Sequence, residues 1–305
     1  MMMIVCILLN VALPSGGVIN ITSGYYIHTF LSDGVFLVPE NTRVKVDYLV
    51  IGGGGGGGYD IGGGGGAGGV LFGSNYPLMK STSVIIGEGV SGSISNSAPA
   101  GNGNPSYLGS LVAEGGGGGG NGYRNGSDGA SGGGGGGAGS QLGGNIRYGG
   151  SNIPPYGNEG GTADFVNQLS IKHGGAGGGG GYGSKGADGS VYSAGNGGTG
   201  YTSSISGTSK KYAGGGGGGS ITQSIPSGNA TYGGGNAGGP GYNAQNNSGG
   251  GGGRGGSATL GALCNGGKGG SGIVIIRYKL SSIEQVTYAY RNTKFVPIII
   301  LTIFF

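Results

Sequence analysis

Residues 44–58 read VKVDYLVIGGGGGGG, so an apolar segment leads directly into seven consecutive glycines. Glycine makes up 89 of the 305 residues, several times its usual share of a soluble protein. Because a glycine run presents no side chains, we expect the runs to form a scaffold and the residues between them to carry any recognition. Further glycine clusters start at residues 62, 115, 132, 177, 214 and 249.

Three structures can be weighed for these runs. Collagen needs glycine at every third position and abundant proline, whereas this chain has unperiodic runs and 10 prolines, so collagen is excluded. A flexible Gly/Ser linker is compatible with the composition. The remaining alternative is a polyglycine-II helix, which has three residues per turn and no internal hydrogen bonds. Its buried N–H and C=O groups must then pair with neighbouring helices.

Short apolar segments between the runs favour the ordered alternative. They are rich in β-branched residues and bounded by glycine, which is typical of buried strands. One such segment enters the first run and another follows the last cluster, so we predict that Ile51 and Ile273 lie close together and close the domain. The predicted strands are Tyr26–Phe30, Val35–Val38, Val44–Ile51, Ser83–Gly87, Tyr107–Val112 and Gly272–Tyr278, with a turn at Ser32–Gly34.

The pattern therefore predicts a mostly β or extended fold, a polyglycine-II helix sandwich flanked by short β-strands with little or no α-helix. The cluster spacing has no fixed period, which argues against a regular solenoid. The predicted organisation is an apolar leader at 1–15, a β lead-in at 16–50, a glycine-rich polyglycine-II domain at 51–278, and an apolar C-terminal tail at 279–305.

Composition excludes several classes of partner. The net charge is only +4, and the densest basic cluster is the pair Lys210-Lys211, so no nucleic-acid partner is expected. The apolar stretches at the two ends are too short to cross a bilayer, which predicts no transmembrane span. Cys6 and Cys264 have neither metal-binding spacing nor a disulfide framework, so we expect free thiols.

Catalytic chemistry is not indicated either. His28 and His173 are the only histidines, and His173 has no cysteine or carboxylate at ligand spacing, which argues against a zinc site. His28 lies on a predicted strand and is expected to be structural. Matches to G-x-G-x-x-G are trivial in such a chain. We therefore predict a protein that is not an enzyme, with no cofactor and no metal.

Candidate recognition residues lie between the glycine runs, in segments rich in Tyr, Asn and Ser. Antibody paratopes use the same residue types, because tyrosine offers a large contact area at low entropic cost. Arginine beside tyrosine is also common in binding hot spots. The competing interpretation is that these tyrosines only cap the glycine lattice. The candidates are Tyr123, Arg124, Arg147, Tyr148, Tyr156, Tyr232 and Tyr242.

Three segments resemble the glycine-rich domain of phage tail proteins. Residues 24–30 (GYYIHTF) and 47–51 (DYLVI) with the following glycine run resemble the opening of that domain. Residues 211–213 (KYA) before a glycine run resemble its middle, and 269–278 (GGSGIVIIRY) its terminal signature. The resemblance covers roughly residues 16–278, and the order of the elements agrees.

The resemblance implies a virion-associated tail or surface protein, located on the virion or outside the cell. In adhesin members of the family, loops at the exposed end of the polyglycine sandwich bind a host surface protein or glycan, and another virion or tail-fibre protein is a further partner. Two alternatives remain at this point: a structural extracellular wall or matrix protein without a specific receptor, and a ligand-binding module similar to the glycine-rich region of anaplastic lymphoma kinase receptors.

Overall fold

The computed structural model describes residues 12–122, 124–137, 146–163, 174–220, 226–238, 240–253 and 265–285. This part of the chain is mostly strand and extended backbone, and its helical content is one short 3-10 helix at Leu280–Ser282. The predicted fold class is confirmed. Several predictions concern residues outside the described ranges: Tyr123, His173, the two cysteines, most of the leader and the tail beyond residue 285.

Twelve strands can be assigned within the described ranges. They are β1 Val18–Thr22, β2 Tyr25–Phe30, β3 Gly34–Phe36, β4 Thr42–Ile51, β5 Val70–Leu78, β6 Thr82–Ile85, β7 Ser106–Leu108, β8 Leu111–Ala113, β9 Tyr201–Ser203, β10 Lys210–Tyr212, β11 Ile273–Tyr278 and β12 Ile283–Gln285.

The strands form two sheets and one separate hairpin, with antiparallel pairing throughout. The larger sheet has the order β1-β2-β11-β4, and both β5 and β12 also pair with β4. The second sheet has the order β3-β6-β7-β8, and β9 pairs with β10 alone. Ile273 lies directly opposite Ile51, which confirms the prediction that these two segments close the domain.

The two sheets pack face to face around an apolar core. Val44, Val46 and Val50 are fully buried in this core, together with Phe36 of the second sheet. The opposite face of β4 is buried only towards its end, where Leu49 and Ile51 lie beneath the β9–β10 hairpin. Strand β4 thus alternates while one face is covered and becomes continuously apolar where both faces are covered.

One predicted strand is wrong. Tyr107–Val112 forms a tight hairpin between β7 and β8, with Tyr107 opposite Val112 and Leu108 opposite Leu111. Gly109 reverses the chain with φ +59°, a conformation that glycine adopts without a steric penalty. The apolar residues on both sides of Gly109 made the segment resemble one continuous strand, so the turn was not predicted.

The first glycine run is a polyglycine-II helix. Its successive N–H groups donate to three different neighbouring segments, so each segment accepts hydrogen bonds from every third residue of the run. Gly52, Gly55 and Gly58 donate to Gly69, Gly66 and Gly63 at 2.9–3.0 Å. The next donors in each turn bond to residues 101–104 and 267–270. This period of three is the repeat of the polyglycine-II conformation.

The helix at residues 62–69 lies at the centre of the lattice. It exchanges backbone hydrogen bonds of 2.7–3.2 Å with six neighbouring segments, and donates to three of them while accepting from the other three. Its residues are buried along their whole length, so a flexible linker does not describe this run. The acceptors lie in 114–120, 177–180 and 249–252, and the donors in 52–58, 131–134 and 216–219.

The polyglycine segments run back and forth between two ends of the molecule. At one end, here called the strand end, they join β-strands or short turns such as 182–184, 231–233 and 245–248. At the other, here called the loop end, the described connections between them include the bends at 59–61, 94–98 and 191–192. Hydrogen bonds place 94–99 beside 121–124 at the loop end, since Arg124 donates to the Ser97 carbonyl at 3.3 Å.

His28 has the structural role that was predicted for it. Its ring is fully buried, stacks on Tyr278 with centroids 5.5 Å apart, and meets the edge of Phe36 at 5.0 Å. Nδ1 donates to the Gly16 carbonyl at 2.8 Å. Nε2 has no partner among the described residues. Burial lowers the pKa of His28, and the bond to Gly16 offsets this only in part.

We expect acidification to destabilise the fold through His28. The unfolded chain takes up a proton near pH 6.5, whereas the folded chain resists it, so the free energy of unfolding falls as pH drops below that value. The slope from one such group approaches about 1.4 kcal/mol per pH unit until the lowered folded pKa is reached. Urea unfolding of the wild type and of His28→Phe between pH 7 and 5 measures it. An identical slope in both proteins would contradict this assignment.

Candidate recognition surfaces

The loop end brings together the first group of predicted recognition residues. The Tyr148 N–H donates to Asn125 Oδ1 at 3.0 Å, and the Tyr148 carbonyl accepts from the Gly126 N–H at 3.0 Å. Arg124 is exposed in the connection immediately before Asn125. Tyr148 has 58% of its surface exposed. Arg124, Asn125 and Tyr148 therefore form one exposed group, here called the Arg124–Tyr148 patch.

The polyglycine lattice holds this patch in place. The Gly136 N–H donates to the Arg124 carbonyl at 2.9 Å, so the backbone that carries the arginine is bonded to a buried helix. Arg147 exchanges two backbone hydrogen bonds with Ala163, of 2.8 and 3.1 Å, and is half-buried. Arg147 thus secures the segment that carries Tyr148 to a neighbouring polyglycine helix.

Tyr242 lies elsewhere on the loop-end side. It is 63% exposed, and its carbonyl accepts from the Gly253 N–H at 3.0 Å. Residues 52–58, 114–121 and 265–270 separate it from the Arg124–Tyr148 patch, as the chain of backbone hydrogen bonds between them shows. Tyr242 is therefore a second exposed candidate, separate from the Arg124–Tyr148 patch.

Two of the predicted recognition residues lie at the opposite end. The Tyr156 carbonyl accepts from the N–H of Val70, the first residue of β5. The Tyr232 carbonyl accepts from the N–H of Gly214, two residues after the end of β10. Tyr156 and Tyr232 therefore belong to the strand end and cannot share one contact surface with Tyr148. Tyr123 lies outside the described residues.

Other tyrosines support the lattice. Tyr182 and Tyr201 pack against the apolar cluster beneath the β9–β10 hairpin, with their rings 5.4 Å apart and nearly perpendicular. Burial raises the pKa of Tyr201, and Tyr182 adds to the shift. These two residues therefore cap the glycine lattice, which is the alternative to a recognition role.

The described residues contain no group of three or more His, Cys, Asp or Glu side chains arranged to hold a metal ion. Across the same ranges, no helix combines the length and the apolar character needed to cross a bilayer.

The lattice of polyglycine segments, closed by a β-sandwich at one end, defines the class of a glycine-rich domain protein. The family model of the glycine-rich domain matches residues 31–279, and the chain belongs to that family. The match begins at the residue after β2 and ends one residue after β11, so it covers both the lattice and its closing strand. No curated protein sequence matches the chain.

Proposed function

We propose that this protein is a virion-associated, glycine-rich tail or surface protein whose loop end binds a receptor on the host cell. The observation that carries the proposal is the Arg124–Tyr148 patch, an exposed arginine and tyrosine fixed at one end of a hydrogen-bonded lattice. The receptor would be a host surface protein or glycan, and the protein would work on the virion or outside the cell. It would act by binding and not as an enzyme.

The lattice suits receptor binding because its hydrogen bonds fix the backbone from which the Arg124–Tyr148 patch extends. Binding costs less when the contact residues are already held in place. The Arg124 carbonyl is bonded to Gly136 and the Tyr148 N–H to Asn125, so both residues leave a fixed backbone. Tyrosine and arginine are also the residue types that dominate hot spots. Another virion protein would be the partner that carries the domain.

We expect Tyr148→Ala and Arg124→Ala each to weaken binding of the full chain to host bacteria by about tenfold or more, which corresponds to about 1.4 kcal/mol. Both side chains are exposed, so the melting temperature should change little. Binding of labelled protein to a broad panel of bacterial cells provides the measurement, with the most strongly bound strain used for the variants.

Met79→Ala is the matched control, because Met79 is 61% exposed at the strand end. This variant should bind like the wild type. Unchanged binding of the Tyr148 and Arg124 variants would contradict the patch as receptor site. If the protein binds to no strain in the panel, the structural wall or matrix protein would be favoured over the adhesin.

A further inference from the structure

A groove of about 690 Å³ opens at the strand end, far from the Arg124–Tyr148 patch. The β9–β10 hairpin forms one wall, and the turns at 231–233 and 245–248 form the other. Its size is within the usual range of small-molecule sites. The lining of the groove includes Leu31, Lys210, Lys211, Tyr232, Gln245 and Asn246.

The groove is positively charged. Lys210 and Lys211 both line it and are exposed, and none of the other described residues along its walls is a carboxylate. Neither lysine forms an ion pair with a described residue. The Lys211 ammonium lies 4.9 Å from the centre of the Tyr232 ring, which attracts the cation and limits its motion. The groove thus offers two uncompensated cations to an anionic group.

The opposite wall supplies amide groups on a rigid turn. The Ser248 hydroxyl donates to the Gln245 carbonyl at 2.6 Å, and the Asn247 N–H donates to Ser271 Oγ at 3.0 Å. Asn247 has φ +57°, so the turn is sharply bent. The exposed side chains of Gln245 and Asn246 make no hydrogen bond to any described residue. Each can both donate and accept, which suits a ligand with many hydroxyl groups.

Apolar surface completes the groove. The half-buried Tyr232 ring and the side chain of Leu31, which is 49% exposed, lie along it. Tyr232 has φ +55°, and its carbonyl is bonded to the Gly214 N–H at 3.1 Å, so its backbone is held in an uncommon conformation that aims the ring at Lys211. An aromatic face beside hydrogen-bonding amides offers both apolar and polar contact to a sugar ring.

We propose that this groove binds an anionic saccharide, a sugar chain that carries a carboxylate or a phosphate. The anion would bond to Lys210 and Lys211, the hydroxyl groups to Gln245 and Asn246, and the carbon face of a ring would rest on Tyr232. Two cations are too few for a nucleic-acid backbone, whose binding depends on several phosphate contacts. The groove lies at the opposite end from the receptor patch, so this inference stands independently of the proposed function.

Calorimetric titration of the full chain tests the proposal with two probes, a galacturonic acid oligosaccharide and mannose 6-phosphate. A neutral maltooligosaccharide is the comparison ligand. At least one anionic probe should bind saturably, and the probe that binds identifies the anion. The double variant Lys210→Gln, Lys211→Gln should weaken that binding by at least tenfold, because it removes both charge-assisted hydrogen bonds. Tyr232→Leu should weaken it several-fold.

The double variant Lys80→Gln, Lys185→Gln is the control, since it removes the same charge from exposed lysines outside the groove. It should bind like the wild type. Equal losses in the two double variants would overturn the proposal in favour of non-specific charge attraction. The proposal would also be overturned if neither anionic probe binds. The same holds if inorganic phosphate binds as tightly as the sugars. The melting temperature of each variant checks that the fold is intact.

Discussion

Replacing Gly64 with alanine is expected to lower the free energy of unfolding by about 3–5 kcal/mol, a large part of the usual stability of a domain. A Cβ on Gly64 would lie far inside the normal van der Waals contact distance from the Gly216 carbonyl oxygen. That oxygen cannot move aside easily, because it accepts from the Gly179 N–H at 2.9 Å while the Gly216 N–H donates to Gly65. The added methyl must therefore separate packed helices and break buried hydrogen bonds.

Gly122→Ala is the matched control for this experiment. A Cβ on Gly122 would meet the Gly137 carbonyl at 3.4 Å, which is ordinary contact, so this variant should stay within about 1 kcal/mol of the wild type. Urea unfolding provides the measurement, with tyrosine fluorescence as the signal because the chain has no tryptophan. Equal unfolding midpoints for Gly64→Ala and the wild type would show that residues 62–69 are not held in a packed lattice.

Val274→Asp is expected to abolish the folded state or to lower the free energy of unfolding by more than about 4 kcal/mol. Val274 is fully buried between the two sheets, and its strand β11 pairs with β2 on one side and β4 on the other. Among the described core residues around Val274, no charged side chain could pair with a carboxylate. It must either remain ionised in an apolar site or take up a proton, and both are costly.

Val18→Asp makes the same substitution at the edge of the same sheet. Val18 is 65% exposed, so the carboxylate stays in water and the variant should unfold within about 0.5 kcal/mol of the wild type. Circular dichroism and urea unfolding of the two variants give the comparison. A folded Val274→Asp protein with wild-type stability would mean that β11 does not close the domain.

Much of the fold was predictable from local sequence because it depends on backbone chemistry and short-range patterns. The run at 52–58 has no side chains, so its only means of burial is lateral hydrogen bonding between extended helices. The apolar, β-branched residues at the end of β4 indicated a buried strand. Ile51 and Ile273 were predicted to meet because each joins a glycine cluster, and they do.

The recognition surfaces were less predictable, since they depend on which end of the lattice each connection reaches. Tyr148 and Tyr156 are eight residues apart in similar sequence, yet they lie towards opposite ends because residues 146–152 run the length of one polyglycine segment. Lys210 and Lys211 were recognised only as the densest basic pair. Their groove is formed together with residues 231–233 and 245–248. These residues are too far from the two lysines along the chain for a local sequence pattern to predict the contact.

By itself, the sequence determined that the backbone would be extended and that apolar strands would terminate its glycine runs, because those properties follow from residues that are neighbours along the chain. Only the tertiary structure decided the six neighbours of residues 62–69, the hairpin at Gly109 and the separation of Tyr148 from Tyr232. A glycine carries no side chain to specify its partner, so the pairing of one run with another is settled by how all the segments pack together.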